Sequence, residues 1–117
     1  MIRLAAILAV VAAPAAAQQA TSGAGAMLRA LDKIAGVTRD VEVPVGATVR
    51  FGRIEVDLAD CRYRTGNPAG DAYALLRVRD PEAERTVFQG WMLSSSPALN
   101  ALDHHRYDVW VLRCTTS

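Results

Sequence analysis

The chain has few of the residues that mark common catalytic and metal sites. Its 117 residues include two cysteines, two histidines and one lysine, Lys33. No glycine-rich phosphate loop, calcium loop or zinc-type spacing of Cys and His is present. Neither cysteine has further Cys or His residues at ligand spacing. We therefore predict no cofactor, no metal site and no assigned catalytic residue.

The chain also lacks an excess of one charge. It carries 13 basic and 12 acidic side chains, and removal of Arg3 with the N-terminal segment leaves 12 of each. A neutral chain lacks the overall attraction on which non-specific binding to nucleic acids or anionic membranes depends. We expect no nucleic-acid partner.

The N-terminus has the parts of a secretory signal. Arg3 precedes an apolar run from Leu4 to Ala13, and Ala15–Ala17 supplies the small residues that a signal peptidase accepts. The run is far shorter than the roughly 20 residues that span a bilayer, so no transmembrane anchor is expected. We predict a signal peptide over residues 1–17 and a mature protein in the periplasm.

Export places the two cysteines in an oxidising compartment, where one pairing is possible. A Cys61–Cys114 disulfide would stabilise the fold by roughly 4 kcal/mol in the chain-entropy description. A catalytic redox pair is the alternative, but such pairs usually have the spacing Cys-x-x-Cys. The sequence favours a structural disulfide.

Alternation of apolar and polar residues predicts an all-β fold. Val41, Val43 and Val45 alternate with polar residues and Pro44, and the phase changes at Gly52, where a tight turn or bulge is expected. We predict a compact antiparallel β-sandwich or small barrel of six to seven short strands.

The domain boundaries follow from composition. Residues 18–26 have no large apolar side chain and predict a flexible leader, and residues 27–117 form a single β domain. Met27–Ile34 fits helix and strand almost equally. We choose strand, because Ala35-Gly36 then forms a hairpin with residues 37–45. One short helix is expected over residues 97–102, with Ser96 as its cap.

Two polar groups invite a catalytic interpretation. His104-His105 lies between Asp103 and Asp108, but adjacent residues of an extended chain point to opposite sides and cannot easily share an ion. Ser94–Ser96 lacks the turn of a serine nucleophile and is better explained as a cap before Pro97. A solvated loop before the last strand explains both groups more simply.

Large apolar residues on the last two strands suggest a surface that could bind a ligand or partner. Val87–Leu93 and Tyr107–Cys114 are apolar on both faces, as in central strands, and Phe88 and Trp110 are expected in the core. Trp91, Met92 and Tyr107 are the candidate contact residues for a ligand or partner, because Trp91-Met92 precedes the polar serine run.

The chain closely resembles a family of exported proteins. The resemblance covers Met27 to Cys114 and rests on Phe88-Gln89-Gly90-Trp91-Met92, Ser95-Ser96-Pro97, Tyr107-Asp108-Val109-Trp110, Val43-Pro44-Val45-Gly46 and Cys61-Arg62-Tyr63. It points to domain-of-unknown-function family 2155 (DUF2155), small exported proteins found mainly in alphaproteobacteria. The family commonly has proline at the position of His105, which implies that the His-His pair is particular to this sequence. The resemblance implies the fold, export and the disulfide, and it implies no activity.

Three functions remain open. The first is a soluble periplasmic binding or accessory module for another envelope protein, using Trp91, Met92 and Tyr107. The second is a small hydrolase or metal-dependent enzyme that uses His104 and Asp108. The third is binding of a cell-envelope polysaccharide, which requires a flat, exposed aromatic face. The sequence favours a module that is not an enzyme.

Overall fold

The computed structural model describes residues 19–116, so the predicted signal peptide lies outside the described residues. Eight strands occur in this range. They are β1 (Ala20–Ser22), β2 (Gly25–Asp32), β3 (Val37–Pro44), β4 (Thr48–Phe51), β5 (Ile54–Arg64), β6 (Ala72–Asp80), β7 (Arg85–Leu93) and β8 (Tyr107–Thr115). Residues 19–116 contain no helix.

The strands form two antiparallel sheets. The five-stranded sheet has the order β1-β5-β6-β7, with β4 beside the first half of β5, and the three-stranded sheet has the order β3-β2-β8. The sheets face each other, with β8 against β6 and β2 against β5. The all-β prediction is confirmed. The arrangement is a sandwich and not a closed barrel, and it has eight strands instead of six or seven.

The hydrophobic core fills the space between the two sheets. Each central strand contributes alternate side chains, as expected for strands with one inner and one outer face. The largest fully buried side chains come from β3, β5, β6 and β8: Val43, Ile54, Val56, Leu58, Leu76, Val78, Val109 and Val111. Phe88 and Met92 of β7 are also buried.

Two β-bulges bring the cysteines into this core. The pairing of β5 with β6 shifts between Leu58 and Asp60, and the pairing of β8 with β2 shifts opposite Met27 and Leu28. Each extra residue, Ala59 in β5 and Leu112 in β8, changes which residues face inward. Cys61 and Cys114 therefore both face inward, at disulfide-bonding distance with their Cα atoms 5.7 Å apart.

The turns agree with the sequence prediction at two places. Gly52, with φ of 55°, begins the two-residue turn between β4 and β5, where Phe51 pairs with Ile54. A side chain at this position would meet the hydroxyl of Tyr107 at 2.5 Å, so the packing requires glycine there. The strand chosen for residues 27–34 is likewise present: β2 and β3 form a hairpin around residues 33–36.

The segment predicted as a flexible leader is part of the folded domain from Ala20 onward. Ala20–Ser22 pairs with the end of β5, and Gly25 and Ala26 begin β2, with Ala26 completely buried. Small residues are needed here because a Cβ at Gly23 would lie 2.6 Å from the carbonyl oxygen of Thr115. Composition misled the prediction because close backbone packing, and not burial of large side chains, holds this segment.

The predicted short helix after Ser96 is wrong. The Leu99 amide donates to the Ser96 carbonyl at 3.0 Å, which closes a single turn. Leu102 and His104 beyond it are both buried, so the chain there is extended with alternate residues inward. Leu99 is 76% exposed, so this segment buries Leu102 but not Leu99.

β7 and β8 are edge strands and not the central strands that their composition predicted. Tyr107, Val109 and Val111 point into the core, so Trp110 lies on the outer face of its sheet and is only half-buried. The prediction of Trp110 as a core residue is therefore wrong. Phe88 is in the core as expected.

Candidate functional site

A cleft of about 520 Å³ opens on the outer face of the five-stranded sheet. Its volume lies within the range typical of small-molecule sites. Strands β1, β5, β6 and β7 and the loop after β5 contribute its lining. The lining residues are Gln19, Ala20, Arg62, Arg64, Asn67, Asp71, Tyr73 and Trp91.

Two aromatic side chains are exposed in this cleft. Trp91 is 38% exposed and Tyr73 is 39% exposed. The register pairs Trp91 with Leu75 and Tyr73 with Leu93, so the two aromatic residues are diagonal neighbours on one face of the sheet. The cleft thus offers apolar ring surface together with an indole N–H and a phenol hydroxyl.

Two arginines give the cleft positive charge. The guanidinium of Arg62 lies 5.8 Å from the ring centroid of Trp91, a cation–π contact, and its Nε donates to Asp60 at 2.8 Å. Within residues 19–116, the side chain of Arg64 forms no ion pair or hydrogen bond. Arg64 is therefore a cation in the cleft without an anionic partner in the described chain.

The wall formed by the loop after β5 is held by its own hydrogen bonds. The Asn67 amide donates to the Arg64 carbonyl at 2.9 Å, and the Gly70 amide donates to the Asn67 carbonyl at 3.0 Å. The Thr65 amide donates to the Gln19 carbonyl at 2.9 Å, which ties this loop to the segment just before β1. The wall is consequently built before any ligand arrives.

The polar segment after β7 holds further cleft residues in place. The hydroxyls of Ser94 and Ser95 donate to the two oxygens of Asp71 at 3.1 and 2.8 Å. The Asn100 side chain donates to the Trp91 carbonyl at 2.8 Å. The serine run therefore positions Asp71, and Asn100 holds the backbone of Trp91. Ser94 and Ser95 are hydrogen-bonded to a carboxylate and not to a histidine.

His104 lies elsewhere, buried at the start of β8. Its Nε2 is 2.9 Å from Oδ2 of Asp80, and its Nδ1 accepts the backbone amides of Arg106 and Tyr107 at 3.0 and 3.2 Å. Because Nδ1 accepts, Nε2 carries the proton and donates to Asp80. This hydrogen bond lowers the pKa of the Asp80 carboxyl below its usual value. Both ring nitrogens are occupied, so neither is free for a substrate or metal.

The chain matches the sequence profile of one protein family over residues 26–114. The family is described as "Uncharacterized protein conserved in bacteria (DUF2155)". The chain belongs to the DUF2155 family. A relative, "Uncharacterized protein RP359" of Rickettsia prowazekii (strain Madrid E), is 30% identical over 88 residues, which cover 73% of this chain and 57% of that protein. The chain therefore spans little more than half the length of this relative. No solved structure matches it.

The three contact residues predicted from the sequence do not share a surface in this DUF2155 protein. Trp91 lines the cleft, whereas Met92 and Tyr107 are buried, at 2% and 3% exposure. The Tyr107 hydroxyl accepts the backbone amide of Arg53 at 3.2 Å, a structural contact beneath the β4–β5 turn. Of the predicted set, only Trp91 is available to a ligand.

The residues of the enzyme hypothesis are also separate. Asp108 accepts the amide of its neighbour Val109 at 2.9 Å, while His104 is paired with Asp80. The rings of His104 and His105 stack with centroids 4.5 Å apart. Residues 19–116 contain no group of three or more His, Cys, Asp or Glu side chains arranged to hold a metal ion. In the same range, no helix has the length and apolar character needed to span a membrane.

The sequence analysis identified only Trp91 among the cleft residues and missed the other seven: Gln19, Ala20, Arg62, Arg64, Asn67, Asp71 and Tyr73. A signal for Tyr73 was present, because Ala72, Ala74 and Leu76 share the inner phase of β6 and so place Tyr73 on the outer face. No local signal pointed to Asp71, whose place in the cleft depends on pairing between distant strands.

Proposed function

We propose that this DUF2155 protein is an exported binding module that contacts its ligand through the cleft around Trp91. The observation that carries the proposal is the exposure of Trp91 and Tyr73 side by side in a cleft whose walls are fixed by hydrogen bonds. Aromatic residues beside a few placed polar groups are typical of ligand sites.

Export is supported by the N-terminal segment and by the cysteine pair. A bond between Cys61 and Cys114 persists in an oxidising compartment and is rare in the cytosol. Mass spectrometry of the protein from its host should give an N-terminus at or near Gln18. Recovery of the intact chain with Met1 from the cytoplasm would contradict export.

Binding is favoured over catalysis by the cleft's side chains. Among residues 19–116, Asp71 is the only carboxylate that lines it, and the lining in this range includes no histidine or cysteine. General acid–base catalysis needs a titratable group placed against the substrate. The His104 ring that the enzyme hypothesis relied on is buried in a separate network.

The lining also bears on the kind of ligand. A protein partner was the first expectation, but Met92 and Tyr107 are buried and leave no contiguous apolar patch with Trp91. Exposed rings among arginine, asparagine and aspartate side chains support a polysaccharide of the cell envelope more strongly.

Photocrosslinking in living cells tests the proposal. A photoreactive phenylalanine analogue in place of Tyr73 should give adducts with an envelope component, and Trp91→Ala in the same chain should reduce them. The control places the analogue at Val37, which is 47% exposed on the other sheet. Equal adducts at both positions, or none at Tyr73, would refute the cleft as the binding surface.

A further inference from the structure

We infer that the Trp91 cleft binds an acidic saccharide, a sugar chain that carries carboxylates. The inference rests on the proposed function and specifies its ligand class. Three kinds of group line the cleft: aromatic rings, an arginine without an anionic partner, and hydrogen-bonding oxygens. A ligand that uses all three must bring an apolar ring face, an anion and hydroxyl donors.

The aromatic pair accounts for the ring face. Trp91 and Tyr73 project from neighbouring strands on one side of the sheet, and each is more than one third exposed. The cation–π contact with Arg62 helps to orient the indole. A pyranose ring has C–H groups on its faces, and these can lie against such aromatic surfaces while its rim stays polar.

Arg64 provides the positive charge that would bind an anionic group of the ligand. Its guanidinium has no ion-pair partner within residues 19–116, whereas Arg62 is already bound to Asp60. A guanidinium pairs with a carboxylate through two parallel hydrogen bonds, a stronger contact than one between neutral groups. The cleft therefore distinguishes a sugar acid from the corresponding neutral sugar.

Asp71 and Asn67 provide hydrogen-bonding groups for the hydroxyls of the saccharide. Each oxygen of Asp71 accepts one serine hydroxyl and retains capacity for another donor. A carboxylate in the cleft repels a dense polyanion such as a nucleic acid, but it accepts hydroxyl groups of a sugar. An acidic peptide would satisfy Arg64, but it would bring few hydroxyls to Asp71.

Two disaccharides that differ in a single lactyl ether group, which carries the carboxylate, test the inference. One is N-acetylglucosaminyl-N-acetylmuramic acid, which carries a lactyl carboxylate, and the other is di-N-acetylchitobiose, which is neutral. The disulfide-bonded protein, purified after export and labelled with nitrogen-15, is titrated with each and followed by NMR. We expect the indole N–H signal of Trp91 to shift, while that of Trp110, on the other sheet, stays in place.

Variants assign the roles of the individual groups. Arg64→Gln should weaken binding of the acidic disaccharide about tenfold and bring it close to that of the neutral one. Trp91→Ala should abolish binding of both. Arg39→Gln is the matched control, because Arg39 is an exposed arginine on β3, in the other sheet, and should change neither affinity.

The outcomes separate this inference from the proposed function. Equal affinity for the two disaccharides, or a preference for a control peptide Glu-Gly-Glu, overturns the acidic saccharide. If neither sugar binds but the Tyr73 crosslink to an envelope protein persists, the saccharide inference fails and the binding module stands. If neither sugar binds and Tyr73 also gives no crosslink, both the saccharide inference and the binding-module proposal are overturned.

Discussion

Replacing His104 by alanine should destabilise the domain without a direct effect on the Trp91 cleft. The imidazole connects two parts of the chain: it accepts the amides of Arg106 and Tyr107 at the start of β8 and donates to Asp80 at the end of β6. The backbone carbonyl of His104 also accepts the Lys33 ammonium at 2.6 Å. The side chain therefore holds the start of β8 against the five-stranded sheet.

The size of the effect follows from the groups that lose a partner. A buried donor without an acceptor costs about 1–3 kcal/mol. The hydrogen bond from the Tyr107 amide is buried, while the one from the Arg106 amide is partly buried, so the two losses do not count equally. With the hydrogen bond to Asp80 also removed, we expect a loss of about 3 kcal/mol. For a domain of this size, that corresponds to a fall in Tm of about 15 °C.

Two conservative variants separate the functions of the two ring nitrogens. In His104→Asn, the amide oxygen takes the place of Nδ1 and can accept both backbone amides, but the side chain is too short to reach Asp80. In His104→Gln, the side-chain amide can still donate to Asp80, but nothing replaces Nδ1. We expect stability to fall in the order wild type, Asn, Gln, with Ala at or just below Gln.

Thermal and urea unfolding of the four proteins, followed by circular dichroism, measure this order. If Gln matches the wild type while Asn behaves like Ala, the amide contacts contribute nothing and the reasoning is refuted. If all three variants are as stable as the wild type, His104 is not a structural residue, and a role in chemistry returns to consideration.

Further predictions concern other contacts of the fold. Tyr107→Phe should lower the unfolding free energy by about 1 kcal/mol and leave ligand affinity unchanged, because the hydroxyl meets a backbone amide and not the cleft; reduced affinity at unchanged stability would contradict this. Replacing Cys61 and Cys114 together by alanine should cost about 4 kcal/mol in urea unfolding, and a double variant as stable as the wild type would show that the bond contributes nothing. Hydrogen bonds from Arg106 and from backbone amides lower the pKa of Asp32. The ionised carboxylate therefore stabilises the fold at neutral pH, and this contribution is lost as the pH falls through the lowered pKa. Asp32→Asn should accordingly be less stable than the wild type at pH 7, and the difference in unfolding free energy should shrink in acid. A difference that grows in acid would contradict this prediction. Trp91→Ala should retain the native circular dichroism spectrum, and global unfolding would place Trp91 in the core.

The sequence predicted the elements whose side chains alternate. Val43, Leu76 and Val78 lie in runs of period two, and burial on one face makes such runs readable without the structure. The same rule, applied more fully, would have separated Trp91 from Met92, because adjacent residues of a strand point to opposite faces. That error came from reading composition in place of phase.

Other features depend on pairings between distant segments and could not be read locally. β1 consists of small and polar residues, and it is a strand because the end of β5 offers it an edge. The cleft is assembled from four strands, and Arg64 and Trp91 meet there only through the order of the sheet. Local patterns carry no information about that order.

The two bulges are positions where the strands tolerate the loss of a residue as well as a change of side chain. Ala59 is exposed and has no partner residue on β6, so many substitutions should be harmless there. Its deletion would leave Leu58, Asp60 and Cys61 opposite Leu76, Leu75 and Ala74 in a regular ladder, so Cys61 would still face inward. Leu112 stands in the same relation to Cys114. A second deletion in either strand would shift the phase by one residue and turn the cysteine outward, since such a shift reverses the faces of a strand, and the covalent link between the sheets would be lost.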